Sequence, residues 1–221
     1  MLRTELIRPL SEMLRAHARD IGDKTACSDA RRTVSYAELE QRTRRLAGHL
    51  ADLGLRRGDR VAIYLGYCVE TIESYYAVTR ASAVGVPLNS QSTDGELDHF
   101  IADSGATVVI TDPQHLDQVW RALVGRSPLA VLVTGDEPLP ENAPKGTVSF
   151  AELSTTDPSS PARDDLGMDE PAWMLYTSGT TGLSKGVVSS QRGCLWSVAA
   201  CYVPVLGLGV GDRVLWPLPL F

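Results

Sequence analysis

No uninterrupted apolar run approaches the about 20 residues that a membrane-spanning helix needs, so no membrane span is expected. The start, Met1-Leu2-Arg3-Thr4-Glu5, lacks the long apolar stretch that follows the first charges of a secretory leader, so no export signal is expected either. Cysteine is scarce: Cys27, Cys68, Cys194 and Cys201 show no C-x-x-C spacing, which leaves no metal ligand to assign and fits a reducing cytoplasmic compartment. Positive charge is in deficit, with 21 Lys and Arg against 27 Asp and Glu and a net charge of -6. That balance argues against nucleic-acid binding, which requires clustered cations to neutralise phosphates. The one Arg-dense stretch, 42–57, has acidic residues around it and reads as a solvated helix face. There is no internal repeat and no long low-complexity tract. Against these absences stand 221 residues, 43% apolar and 22% charged, enough to bury a sizeable core without metal or disulfide staples.

Hydrophobic periodicity alternates along the chain. Leu6, Leu10, Met13, Leu14 and Ala18 have helical spacing, and two short strands over 24–28 and 32–35 flank a turn at 29–31. Ser35 and Glu38 form a capping-box pair ahead of a helix whose stripe is Leu39, Leu46, Ala47, Leu50 and Leu53, stopping at Gly54. A buried strand is predicted over 60–65, a helix over 69–83 and a strand over 85–88. A second capping box, Thr93 with Glu96, opens a helix carrying Leu97, Phe100 and Ile101. Further strands are predicted at 107–111 and 129–133 around a helix at 115–123. Such alternation indicates an α/β fold with a mainly parallel sheet and helices on both faces. Residues 135–170 are rich in proline and serine and read as an internal loop or linker, with a short element at 147–153 as its interruption. A helix over 191–200 follows, on which Cys194 and the nearby Cys201 share a face as small hydrophobes.

Chemistry concentrates in 177–186. Two strands, 172–176 and 186–189, are joined by a ten-residue loop holding the hydroxyls Thr177, Ser178, Thr180 and Thr181, the glycines Gly179, Gly182 and Gly186, and Lys185. Glycines let successive backbone N–H groups turn inward as a nest for anionic oxygens. The hydroxyls can donate further hydrogen bonds, and Lys185 adds a compact charge suited to a polyphosphate. The spacing is not the Walker pattern, because Lys185 stands three residues past Gly182 and the loop leads into a strand. A ligand-free Gly/Thr-rich hairpin turn is the bland reading, but such turns rarely need ten residues, four hydroxyls and a lysine. Other candidates are weaker. His17, His49, His99 and His115 read as surface or satisfied side chains, Asp112 as a turn residue before Pro113, and Trp173 and Trp196 as core.

The stretch Tyr176-Thr177-Ser178-Gly179-Thr180-Thr181-Gly182-Leu183-Ser184-Lys185-Gly186 resembles the signature loop of the adenylate-forming superfamily, which includes acyl- and aryl-CoA synthetases and nonribosomal adenylation domains. The family pattern, T-S-G-[ST]-T-G-x-P-K-G, commonly has proline where this chain has Ser184. Ser35-Tyr36-Ala37-Glu38-Leu39 is similar to the family's T-Y-x-E-L helix opening, and Gly58-Asp59-Arg60-Val61-Ala62 to its G-D-R-V-A strand entry. Two later stretches, 83–89 and 101–105, match in order and spacing. Residues 215–221 resemble the segment that leads into the acyl pocket, which makes Phe221 a pocket candidate.

The resemblance implies that 1–221 is an incomplete N-terminal, AMP-binding domain, with adenine, ribose and carboxylate contacts and a small C-terminal domain lying outside it. It implies ATP and Mg²⁺, a carboxylic acid substrate, and the thiol of CoA or of an acyl carrier protein's phosphopantetheine as acceptor. Phosphate binding falls on Thr177, Ser178, Gly179, Thr180, Thr181, Gly182 and Lys185, and catalytic residues are expected beyond Phe221. A similarity of 191–200 and 216–220 to ligase domains that load modular polyketide synthases points to the carrier-protein thiol; a free-standing acyl-CoA ligase is the alternative. A non-catalytic nucleotide-binding or assembly module is the reading from a different class. The 221-residue chain alone is expected to form no acyl-adenylate, and robust ATP–pyrophosphate exchange by it would overturn that expectation.

Overall fold

The computed structural model describes residues 2–177 and 182–216. A 3-10 turn at Thr4–Leu6 precedes helix α1 (Leu10–Asp20). The single helix expected over 6–18 is divided because Pro9 lies extended just ahead of Leu10 and cannot continue a helical hydrogen bond. Strands β1 (Thr25–Ser28) and β2 (Thr33–Ser35) pair antiparallel around a turn in which Asp29 accepts the N–H groups of Arg31 and Arg32. Helix α2 (Tyr36–Asp52) starts on the expected capping box: Ser35 Oγ accepts from the Glu38 N–H at 3.3 Å and Glu38 accepts from the Ser35 N–H at 2.8 Å.

The alternation then runs β3 (Arg60–Tyr64), α3 (Val69–Arg80), β4 (Val84–Pro87), α4 (Asp94–Ser104), β5 (Val108–Thr111), α5 (Leu116–Ala122), β6 (Ala130–Val133), β7 (Thr147–Ser149), α6 (Phe150–Thr155), β8 (Pro171–Thr177) and β9 (Lys185–Ser190). The sheet order is β7-β6-β5-β3-β4-β8-β9, parallel throughout except for the antiparallel last pair. Strand periodicity divides the core into two layers. Val61, Ile63, Val108, Ile110 and Leu132 face α2, α3 and Phe150 of α6. Ala62, Tyr64, Val109, Val131 and Val133 face α4 and α5. Helices thus cover both faces, which is why the strands read as continuous apolar runs. Among the described residues no helix is long and apolar enough to cross a membrane.

Segment 135–170, read from sequence as loop or linker around a short element, supplies β7 and α6, and its irregular part lies against the helices. Phe150 is buried in the sheet core, which contributes about 1.5–3 kcal/mol. Gly48 in α2 is required by close approach: a Cβ there would come within 2.4 Å of Pro158 Cγ and the Ser160 carbonyl. The tightest seam is at Arg80, 1% exposed at the end of α3. Its Nε donates to Asp164 at 2.9 Å and its Nη2 to Asp164 at 3.0 Å and Glu40 at 2.8 Å, while Nη1 reaches the Glu40 carbonyl and Thr43. Arg163 donates to the carbonyls of Ala81 and Leu55, and the Ser82 hydroxyl donates to Asp165.

Several expectations change in this setting. The arginines of 42–57 are a solvated face only in part: Arg44, Arg56 and Arg57 are exposed, whereas Arg42 pairs with the fully buried Glu73. Arg45 with Asp157, and Arg57 with Asp165 and Glu170, pair with acids far along the chain, which a local charge count does not see. The helix expected over 191–200 is α7 (Gln191–Ser197), continued by a π-helical turn at Val198–Tyr202 and then α8 (Val203–Leu206). The π turn inserts a residue into the helical repeat, so Cys194 is half-buried whereas Cys201 is exposed rather than packed. Trp196, expected in the core, is 52% exposed, and Trp173 is half-buried beside Gly85.

Removing one partner of a buried ion pair strands the other, so Asp164→Ala should cost about 3 kcal/mol of stability in urea unfolding. Asp164→Asn, which keeps a hydrogen-bonding group and suits the left-handed φ of 52° at this position, should cost less.

Candidate functional site

The candidate loop closes a hairpin. Strands β8 and β9 pair from Pro171 with Ser190 to Thr177 with Lys185, so Thr177 and Lys185 are cross-strand partners at its mouth. β8 runs parallel to β4, which places the mouth at the carboxyl edge of the parallel strands. Loops at that edge of an open α/β sheet are where ligands bind. Of the seven candidate phosphate-binding residues, Thr177 and Lys185 are brought together here, and Gly182 stands three residues ahead of Lys185. Ser178, Gly179, Thr180 and Thr181 lie outside the described residues, as does Phe221. Gly182 has φ +148°, a conformation that favours glycine. At Gly186 a Cβ would stand 2.8 Å from Met174 Sδ and 3.5 Å from the Tyr176 ring, so the missing side chain lets β9 close over β8. Lys185 is exposed and, among the described residues, makes no ion pair, which leaves its ammonium available to an anion.

Helix α4 supports both arms of the hairpin. The Tyr176 hydroxyl donates to Asp103 Oδ2 at 2.7 Å, and its ring lies 4.5 Å from that of Phe100. Burial first, and the Asp103 carboxylate next, push the Tyr176 phenol well above its ordinary value, so it stays a protonated donor. On the other arm His99 Nε2 lies 2.9 Å from the Ser184 carbonyl, which can only accept, so the ring donates. Sequence reasoning missed both supports: His99 was read as a surface or satisfied histidine, and Asp103 only as part of a matching stretch. Their i, i+4 spacing puts them one turn apart on one face, a local sign of a shared target. Each arm is held.

Two concave regions open along the same edge. A cavity of about 160 Å³ lies beside the hairpin, lined by Asn89, Ser92, Glu96, Phe100 and Tyr176 among others. A wider one of about 410 Å³ sits where β3 and β5 send their connections to opposite faces, with Arg31, Cys68, Asp112 and Gln114 on its walls. Asp112 makes the expected turn, accepting from the N–H groups of Gln114 and His115 at 2.9 and 3.0 Å. The hairpin anchor is measurable by a double-mutant cycle in urea: Tyr176→Phe and Asp103→Ala should couple by about 1 kcal/mol, since Asp103 is exposed and the bond only partly desolvated.

Residues 14–221 match the family model described as AMP-binding enzyme. Over 230 residues the chain is 44% identical to chalcone synthase cfoA of Aspergillus candidus, an alignment that covers all of this chain and 8% of that protein. It is 35% identical to 4-coumarate–CoA ligase 3 of Arabidopsis thaliana, covering 86% of this chain and 33% of the ligase. The fold superposes on a benzoate CoA ligase from Burkholderia xenovorans LB400 with a TM-score of 0.77 and 26% identity, over 91% of this chain and 38% of that one. The chain therefore spans about a third of the ligases it matches and a far smaller part of the fungal synthase. Its sheet, its hairpin and these matches lead to one assignment: the chain belongs to the AMP-binding enzyme family.

Proposed function

We propose that this chain is the phosphate-gripping part of an ATP-dependent acid–thiol ligase acting on an aromatic carboxylic acid. The observation that carries the reading is the hairpin, whose register sets Thr177 and Lys185 side by side at the carboxyl edge of the sheet. In the reaction, a carboxylate oxygen attacks the α-phosphorus of ATP and the bond from that phosphorus to the α,β-bridging oxygen breaks, giving acyl-adenylate and pyrophosphate. A thiol then attacks the acyl carbon and AMP leaves.

The part of this chain is electrostatic. Negative charge grows on the departing pyrophosphate, and donors already aimed at those oxygens stabilise it without the reorganisation that water would need. Lys185 supplies the positive charge, and the hydroxyls of Thr177, Ser178, Thr180 and Thr181 supply neutral donors. Mg²⁺ enters with ATP as part of the substrate; among the described residues no group of three His, Cys, Asp or Glu side chains converges to hold it.

Support for an aromatic acid comes from the names of three relatives, the 4-coumarate–CoA ligase, a feruloyl-CoA synthase of Amycolatopsis sp and the benzoate CoA ligase. Two thiols remain as acceptors. CoA is the one the ligases name, whereas the 44% match inside a much longer chalcone synthase favours a carrier-bound phosphopantetheine and polyketide biosynthesis.

Mg-ATP should stabilise the chain against thermal unfolding, by about 2.7 kcal/mol at a concentration a hundred times Kd. Lys185→Ala should weaken that binding by about 30-fold, the equivalent of one charge-assisted hydrogen bond. No stabilisation by Mg-ATP at millimolar concentration would sink the phosphate-loop reading.

A further inference from the structure

We propose that His99 is a positioning residue for the lysine-bearing arm of the hairpin: through the Ser184 carbonyl it sets where Lys185 stands when nucleotide phosphates bind. The inference rests on the phosphate-loop reading above and adds a residue from a different element of the fold.

Ser184 immediately precedes β9, so its peptide lies outside the β8–β9 ladder that holds Lys185 from the other side. Among the described residues, the His99 contact at 2.9 Å is the hydrogen bond that reaches 182–184 from outside the hairpin. Leu183 beside it is 72% exposed, so packing restrains this arm little. A serine at 184 also leaves the backbone torsions free, where a proline would restrict φ by its own ring. The restraint missing from the local sequence is supplied across space.

The support is stiff enough for that role. Helix α4 begins on a reciprocal capping box, Thr93 with Glu96, and ends on Gly105 in the left-handed conformation. Leu97, Phe100 and Ile101 sink it into the core. The His99 ring is flanked by Phe100 at 5.8 Å and Tyr176 at 6.1 Å between centroids, which fixes the direction of Nε2. One turn further along, Asp103 takes the Tyr176 hydroxyl and anchors the β8 arm. Both arms of the hairpin are therefore referred to one helix, Tyr176 through Asp103 and Ser184 through His99.

The test pairs amide hydrogen exchange of a peptide covering 182–186 with Mg-ATP affinity by equilibrium dialysis, on the wild-type chain, His99→Ala, His99→Leu, His99→Gln and Lys185→Ala. His99→Ala and His99→Leu should speed exchange in 182–186 about tenfold, as loss of one restraining hydrogen bond allows, and weaken Mg-ATP several-fold. His99→Gln, which keeps an N–H donor at similar reach, should restore both. Lys185→Ala should weaken Mg-ATP while leaving exchange of the arm unchanged. Wild-type exchange and affinity in His99→Leu, which fills the space without a donor, would overturn the proposal. Failure of the wild type to bind Mg-ATP would instead overturn the phosphate reading and the ligand half of this proposal, with the exchange rates still deciding whether His99 holds the arm.

Discussion

A guanidinium removed from water must find its full set of acceptors inside the protein, and Arg80 finds them on two separate pieces of chain. Glu40 and Thr43 come from α2, and Asp164 comes from a segment more than 80 residues later. Asp164 returns the interaction through its backbone, donating its N–H to the Arg80 carbonyl. That mutual bond sets the course of 156–170, and this segment delivers the chain to the start of β8. Arg163 on the carbonyls of Ala81 and Leu55 and Asp165 on the Ser82 hydroxyl hold the same segment on either side of that bond.

The same segment collects the exit of the hairpin. Buried Gln191, at the start of α7, donates to the Leu166 carbonyl and accepts from the Leu10 N–H, and the Arg192 N–H reaches the Met168 carbonyl. Entry and exit are tied to one strip of backbone, while α4 steadies the two arms near the mouth. The loop is therefore held at its root by the seam and at its rim by His99 and Asp103. The proposed phosphate grip rests on such support, since donors held in place before charge develops cost no reorganisation. On β9 and the helices that follow it, Val187, Val188, Trp196 and Leu206 are exposed apolar side chains.

The legible parts of the fold were those set by neighbours in sequence. Two capping boxes were readable because each involves residues three apart, and both appear as expected at Ser35 and Thr93. The buried strands 60–65, 107–111 and 129–133 were readable because a strand covered on both faces is apolar at every position. The hairpin was readable as strand, loop and strand, with Lys185 at its far end. What escaped was pairing at a distance. The prolines of 135–170 suggested a spacer, whereas the segment is pinned by charges on α2 and α3. Arg42 looked solvated because its partner, Glu73, is 31 residues away on another helix. His99 read as a surface or satisfied side chain, and what the local pattern could not name is the group that satisfies it, the Ser184 carbonyl 85 residues further along.

Local sequence by itself determined the element types, the two-layered α/β plan and the hydroxyl- and glycine-rich loop with its lysine, because periodicity, capping and turn chemistry act over a few residues. Tertiary structure alone decided that a proline-rich stretch is a structural seam and that one face of α4 aims at both arms of the hairpin. Those outcomes depend on desolvation and hydrogen-bond geometry between distant segments, which exist only once the sheet and helices have brought them together.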